Sequence, residues 1–177
     1  IMTMPPNTGN ASEFLQTNGS GVLSFAAVPA SSGGLLSVQT FTSSGTYTIP
    51  SGATAVKVYT TGGGGGGGGY GGSPGGTGGT GGTSSVASGT ESITTVSATG
   101  GHGAQGGNSG GGGPGFYQSN ESGGGGGGGG TGIKFIANVT AGNTLTVTVG
   151  AAGAAGDGEY NDGGAGAAGV VYIEGYS

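Results

Sequence analysis

Two unbroken runs of eight glycines, Gly62–Gly69 and Gly123–Gly130, lie between stretches of well-formed β-strand sequence. Glycine loses more backbone freedom on folding than any other residue, so such runs are costly to order. A chain with 53 glycines in 177 residues is either disordered or uses side-chain-free backbone for close packing. Strand-like text on both sides of each run favours the second alternative.

That strand text is rich in β-branched and aromatic residues and is punctuated by turns. Val38–Phe41 leads through Ser43-Ser44-Gly45 to Thr46–Ile49, and Ser51-Gly52-Ala53 then precedes Ala55–Thr61. Later counterparts are Ile133–Val139, Thr144–Val149 and Val170–Ile173, with a shorter candidate at Ile93–Ala98. Ala141-Gly142-Asn143 is expected to join Ile133–Val139 to Thr144–Val149 as a hairpin. This spacing predicts a small antiparallel sheet or sandwich. Upstream, Asn18-Gly19 separates two short apolar patches and predicts another hairpin. That segment has too few apolar residues to bury itself, and we expect it to need partner chains.

Each later strand runs into or out of a glycine tract, and the tracts carry a period of three, as in Gly75-Gly76-Thr77 and Gly78-Gly79-Thr80. Three residues per turn is the repeat of the polyproline II helix, so an octaglycine would span about 25 Å. Polyglycine II helices can pack hexagonally, each hydrogen-bonding its neighbours, which accounts for the backbone groups of a segment without side chains. Glycine is then required where a position faces another backbone, while Thr77 or Thr80 can face solvent. Collagen is excluded, because it needs strict Gly-X-Y with abundant proline.

Composition removes several function classes. The net charge is −5 with only two Lys/Arg, which leaves little to neutralise phosphates and argues against nucleic-acid binding. No apolar run approaches the roughly 20 residues of a membrane span, and no signal peptide is visible. The opening at Ile1 reads like mid-chain text and is expected to belong to a longer protein. With no cysteine, disulfides and cysteine metal sites are unavailable. His102 is the lone histidine and has no acid beside it, so it reads as an exposed loop residue and not as a catalytic one. Gly-x-Gly-x-x-Gly matches in such text carry no phosphate-binding information. Asp157–Gly163 faintly resembles a calcium loop but lacks its spacing and closing glutamate, and reads as a polar loop. We expect no enzymatic activity, no cofactor and no metal.

The interruptions in the glycine are the informative positions. They contain the aromatics Tyr70, Phe116, Tyr117 and Tyr160, together with Glu91, Gln118, Asn120, Glu121, Asp157, Glu159, Asn161 and Asp162. In a helix bundle these are the places where the chain must turn, so they should gather at the bundle ends. Aromatic faces flanked by carboxylates and amides suit a sugar or a polar protein loop. The competing reading is that the acids keep a glycine-rich tip soluble while the aromatics cap the bundle.

The stretch Phe41–Val58 (FTSSGTYTIPSGATAVKV), followed by a glycine tract, resembles the glycine-rich C-terminal domain of bacteriophage tail fibres. Gly81-Gly82-Thr83-Ser84-Ser85, Ala98-Thr99-Gly100-Gly101 and Thr146-Val147-Thr148-Val149-Gly150 are similar to further phrases of that domain. Ser12–Phe25 looks like a segment found just upstream in tail-fibre and tail-spike proteins. In family members the TVTVG phrase usually comes before the TSS…ATGG phrase, whereas here it follows. The resemblance implies a homotrimeric fibre tip on the virion that acts outside the cell. It also implies variable loops on a polyglycine II scaffold, binding a bacterial receptor such as lipopolysaccharide, capsule or an outer-membrane protein.

We therefore expect an all-β chain: a small antiparallel sheet or sandwich with a glycine-rich polyproline II (polyglycine II) helix bundle, trimeric at a fibre tip. Residues 1–36 would be a fibre-like lead-in that trimerises, and 37–177 the sandwich and tip. The expected receptor-binding residues are Tyr70, Glu91, Phe116, Tyr117, Gln118, Asn120, Glu121, Glu159, Tyr160, Asn161 and Asp162. Alternatives are a structural trimerising or capping module, or an ice-binding bundle using the evenly spaced Thr77, Thr80 and Thr83. A disordered linker is a third, weakened by the strands that bracket every tract.

Overall fold

Alternation of β-branched and aromatic residues with small polar ones produces ten strands in a computed structural model. The structure describes residues 3–6, 9–11, 13–27, 33–71, 75–106 and 124–177. The strands are β1 (Glu13–Thr17), β2 (Leu23–Ala27), β3 (Leu35–Phe41), β4 (Gly45–Thr48), β5 (Ala55–Thr61), β6 (Ser84–Ser88), β7 (Val96–Ala98), β8 (Thr131–Ala137), β9 (Thr144–Thr148) and β10 (Val170–Tyr176). All pair antiparallel, and the described chain contains no helix.

Two compact units are formed, Ile1–Gly33 and Gly34–Ser177. In the first, β1 and β2 make the expected hairpin, with Glu13 opposite Ala27 and Thr17 opposite Leu23. Gly19 takes φ +78° in its loop, and the Asn18 side chain accepts the Ser20 N–H at 2.8 Å. Met4, Phe14, Leu15 and Val22 stay exposed.

The second unit holds two four-stranded sheets, ordered β3-β10-β5-β8 and β4-β9-β6-β7. Val56, Val58, Val171 and Ile173 of the first sheet form one apolar core with Tyr47, Val86, Leu145 and Val147 of the second. That shared core makes a β-sandwich. The period of two is visible in β9, where Leu145 and Val147 are buried while Thr146 and Thr148 are exposed.

One expectation is overturned. Residues 133–139 and 144–149 do not form a hairpin, because β8 pairs with β5 while β9 pairs with β4 and β6. Asn138 takes a left-handed φ of 59° and turns the chain out of β8. Gly142 and Asn143 then exchange backbone hydrogen bonds with Ile49, which carries the chain into the other sheet. The strand Ser84–Ser88 was not foreseen, since small polar residues dominate it. Ser84 is fully buried where strands meet glycine, donating to Thr61 O at 2.7 Å and accepting from Gly150 N at 2.9 Å.

The glycine tracts leave and re-enter the sandwich in three excursions: out along 62–69, 99–106 and 150–157, and back along 75–83, 124–130 and 163–169. Their backbones bond to one another at three-residue intervals. Gly63, Gly66 and Gly69 donate to Gly82, Gly79 and Gly76, while Gly62, Gly65 and Gly68 donate to Gly130, Gly127 and Gly124. Gly64 and Gly67 donate to Ala167 and Gly164. In the other sense, Gly101 and Ala104 donate to Gly63 and Gly66, and Gly153 and Gly156 donate to Gly64 and Gly67. Tract 62–69 is thus bonded to five others. Falling partner numbers mark the first three as antiparallel to it, and rising numbers mark the last two as parallel. Thr77, Thr80 and Thr83 are exposed, as is His102, which lies on a tract and not in a loop.

Candidate functional site

The tracts separate two ends of the second unit. Tyr70 and the 158–162 segment lie where tracts turn back, far from the sandwich. At the opposite end the chain enters beside its own C-terminus, with Ser177 N donating to Gly34 O at 3.0 Å.

At the turning end, Tyr70 and Asn161 form a β-bridge. Tyr70 N donates to Asn161 O at 2.8 Å, and Tyr70 O accepts from the N–H groups of Tyr160 and Asn161. The Tyr70 and Tyr160 rings lie 6.2 Å apart at 41°. Gly71, at φ +105°, carries no Cβ where one would press on the Tyr160 ring and the Glu159 side chain. Tyr160 is 72% exposed. Asp162 Oδ1 accepts from Gly158 N at 2.9 Å, which closes this turn. Two aromatic rings with Glu159, Asn161 and Asp162 beside them therefore occur on one pair of loops. This arrangement can stack on an apolar ring face and hydrogen-bond hydroxyls or amides.

Glu91 is not brought to this group. It sits in the β6–β7 connection at the other end of the sandwich, where its carboxylate accepts from Thr140 N and Asn143 Nδ2, both at 2.9 Å. The Thr140 N–H and then the Asn143 amide hold this carboxyl below the usual carboxylate range. Its visible work is to tie the 140–143 turn that links the two sheets. Phe116, Tyr117, Gln118, Asn120 and Glu121 lie outside the described residues. Among the described residues, no three His, Cys, Asp or Glu side chains come together to hold a metal ion. No helix among them is long and apolar enough to cross a membrane.

A second cluster escaped the sequence reading. Glu174 lies on the outer face of sheet β3-β10-β5-β8, opposite Val38 on one side and Lys57 on the other. Three tyrosine hydroxyls donate to its carboxylate: Tyr176 at 2.7 Å, and Tyr59 and Tyr172 at 3.3 Å each. The Tyr176 bond is the main cause holding Glu174 below the usual carboxylate range. The same bond, aided by partial desolvation, pushes the Tyr176 phenol up to about 12. Tyr59 and Tyr172 meet edge to face at 5.4 Å, Lys57 Nζ sits 4.9 Å from the Tyr59 ring centre, and Phe135 lies against Tyr176. Ile133 and Phe135 remain about 60% exposed. A solvated sheet face is normally polar, so this aromatic one has the composition of a contact surface. The signal was available as alternation: Tyr172, Glu174 and Tyr176 share one face of β10, and Lys57 and Tyr59 share that face on β5.

No protein-family model matches the chain, and no curated protein or solved structure is significantly similar to it.

Proposed function

We propose that this chain is the non-enzymatic distal tip of a bacteriophage tail fibre, part of the virion, and that it binds a receptor on the bacterial surface. Its six glycine tracts form a polyglycine II bundle, and the turns at the bundle's outer end make the contact. The observation that carries the proposal is polarity. The chain enters the second unit at Gly34, while Tyr70 and Tyr160 pair where the tracts turn back, beyond the sandwich. The three-residue interval of the inter-tract hydrogen bonds supports the bundle, since it is the repeat of the polyproline II helix. A rigid scaffold with exposed loops is a common way to present binding residues.

The target is lipopolysaccharide, capsular sugar or an outer-membrane protein loop, contacted through Tyr70, Glu159, Tyr160, Asn161, Asp162 and the 116–121 segment. Three chains associate through residues 1–36 and the β-region. The exposed Phe14, Leu15 and Val22 on one unit, and Ile133 and Phe135 on the other, favour such association. Three tips on one fibre would turn weak contacts into firm attachment.

Ice binding needs a flat field of regularly spaced hydroxyls. The exposed threonine row 77, 80 and 83 is flanked by tracts whose outer positions include His102, Gln105 and Ala152, which breaks that regularity.

The test is binding of the labelled chain to a panel of bacterial strains. It compares wild type with a variant whose Tyr70, Tyr160 and 116–121 segment are replaced by Gly and Ser. Binding to some strains by wild type only, with both proteins folded, supports the proposal. Equal binding, or none by either protein, leaves a structural capping module as the better reading.

A further inference from the structure

Tract 62–69 uses its backbone with three-fold regularity, and one of its rows is incomplete. Its N–H groups all go to the antiparallel tracts 75–83, 124–130 and 163–169. Two of its carbonyl rows are also filled: Gly63 and Gly66 accept from tract 99–106, and Gly64 and Gly67 accept from tract 150–157. The third row, the carbonyls of Gly62, Gly65 and Gly68, receives no N–H from any described residue, although all three glycines are buried. Buried backbone carbonyls are normally paired, so a whole unpaired row marks a missing neighbour.

The remaining bonds locate that neighbour. Tract 99–106 is bonded to both 75–83 and 124–130, and tract 150–157 is bonded to both 75–83 and 163–169. Around the central tract this leaves one position open, between 124–130 and 163–169, and no described bond joins those two. A groove of about 400 Å³ lies there, with Gly64, Gly65 and Gly67 at its floor and residues 124–128 and 164–167 as its walls. The walls are unpaired too. The N–H groups of Gly126 and Gly129 on one side, and of Gly164 and Ala167 on the other, have no acceptor among the described residues. At the corresponding position on tract 75–83, Gly78 and Gly81 donate to Ala104 and Gly101.

We propose that this groove binds one further extended strand: a glycine-rich peptide segment of a partner chain in polyproline II conformation, running parallel to residues 62–69. The inference rests on the bundle reading above but not on receptor binding. The hydrogen-bonding pattern selects the occupant. The floor offers acceptors at every third residue and the walls offer donors, the combination that tracts 99–106 and 150–157 already satisfy at the two equivalent positions. A sugar or an aliphatic chain presents no such three-residue row of donors. Direction follows from alternation, since the occupied parallel positions are those that donate to the central carbonyls. Composition follows from tract 99–106, which reads X-Gly-Gly over Thr99-Gly100-Gly101 and X-Gly-Ala over His102-Gly103-Ala104. A Cβ on Gly100 or Gly101 would fall on a neighbouring carbonyl oxygen, while the X positions Thr99, His102 and Gln105 donate no tract bond. Proline is therefore allowed at X, where it presets the extended backbone and lowers the cost of ordering. This is strand addition with a three-residue register in place of the two-residue register of a sheet edge.

The probe is a capped, uncharged peptide of four Pro-Gly-Gly repeats. Its control has sarcosine as the second glycine of each repeat, which removes the donor row and keeps the chain extended. Titration of the isotope-labelled full chain should shift the amide signals of Gly126, Gly129, Gly164 and Ala167, with the control binding at least 10-fold more weakly. A bulky residue in the wall should weaken the probe similarly. Gly128→Leu is one such variant, since its added Cβ meets nothing within 4 Å, and Ala165→Leu on the opposite wall serves if the first does not fold. Equal binding of probe and control, no binding, or groove signals that move only with protein concentration would each overturn the proposal. The last outcome would mean that a second copy fills the groove. Cross-hydrogen-bond coupling between Gly65 N and the Gly127 carbonyl separates the two readings. Coupling without probe binding sinks this inference alone, and its absence sinks the bundle as well.

Discussion

A first side-chain carbon on Gly66 would fall on the carbonyl oxygen of Ala154, which already accepts the Gly79 N–H at 2.8 Å. Both neighbours are backbone, so neither can swing aside as a flexible side chain would. Gly66→Ala should therefore destabilise the second unit by about 3 kcal/mol or more, through forced separation of three tracts. Gly164→Ala is the matched control, because its added carbon meets nothing within 4 Å. Reduced freedom of its unfolded chain should leave it neutral or up to about 1 kcal/mol more stable. Thermal unfolding of the two variants beside wild type checks both signs.

Glu174 and Tyr176 tie stability to pH in two windows. The Tyr176 phenol is raised to about 12, so its contribution is complete below the ordinary tyrosine range and is lost as pH climbs through about 12. Glu174 is lowered, so its contribution is complete above the ordinary carboxylate range and is lost as pH falls through its lowered value. Ultraviolet titration should find Tyr176 ionising at about 12, with Tyr172 also raised by desolvation and by the Glu174 charge. Glu174→Gln should bring Tyr176 back towards the ordinary range, since the charged acceptor that favours the phenol is gone. An unchanged titration in that variant would refute the assignment.

How much of this was legible beforehand depends on which force set each element. The sandwich strands were readable because Thr46–Ile49, Ala55–Thr61 and Thr144–Val149 alternate with a period of two. The outward-facing threonines were readable from the Gly-Gly-Thr repeat, whose three-residue interval is also that of the bonds between tracts. Ser84–Ser88 was not readable: Val86 is its one core side chain, and the burial of Ser84 goes with hydrogen bonds to Thr61 and Gly150 that no local pattern encodes. The supposed hairpin at 141–143 failed for a similar reason, since Asn138 and the bonds to Ile49 redirect the chain to a different sheet. The Glu174 cluster needs the register of β10 against β5 before Tyr59 meets Tyr172 and Tyr176, so the convergence emerges only once those two strands are paired.

Glu91 should behave as a structural residue, although it was expected among the binding loops. Its carboxylate holds Thr140 and Asn143, and its lowered ionisation stabilises the fold above the ordinary carboxylate range, an advantage lost as pH falls through the lowered value. Glu91→Gln should thus lower the melting temperature at neutral pH, with the difference from wild type shrinking in acid. Binding to bacteria should be unchanged at temperatures where both proteins are folded. A variant with wild-type stability and lost binding would return Glu91 to the contact surface.

The Tyr70–Tyr160 pair should behave in the opposite way. Each residue is anchored by backbone bonds to the other's loop, and the half-buried Tyr70 ring has its centre 6.2 Å from that of the exposed Tyr160 ring, so removing the Tyr160 ring forfeits little of the core. Such a pair contributes about 0.5–1.5 kcal/mol beyond the area it buries, and the mostly exposed Tyr160 adds only a small area loss to that in Tyr160→Ala. If the rings stack on a receptor, the same substitution should reduce binding to susceptible bacteria by 10-fold or more, because a desolvated aromatic anchor usually dominates a small contact. Tyr160→Phe separates stacking from hydrogen bonding: retained binding assigns the ring face, and lost binding assigns the hydroxyl. Binding that survives both Tyr160→Ala and Tyr70→Ala in a folded protein would exclude these two loops, where the glycine tracts turn back, as the contact.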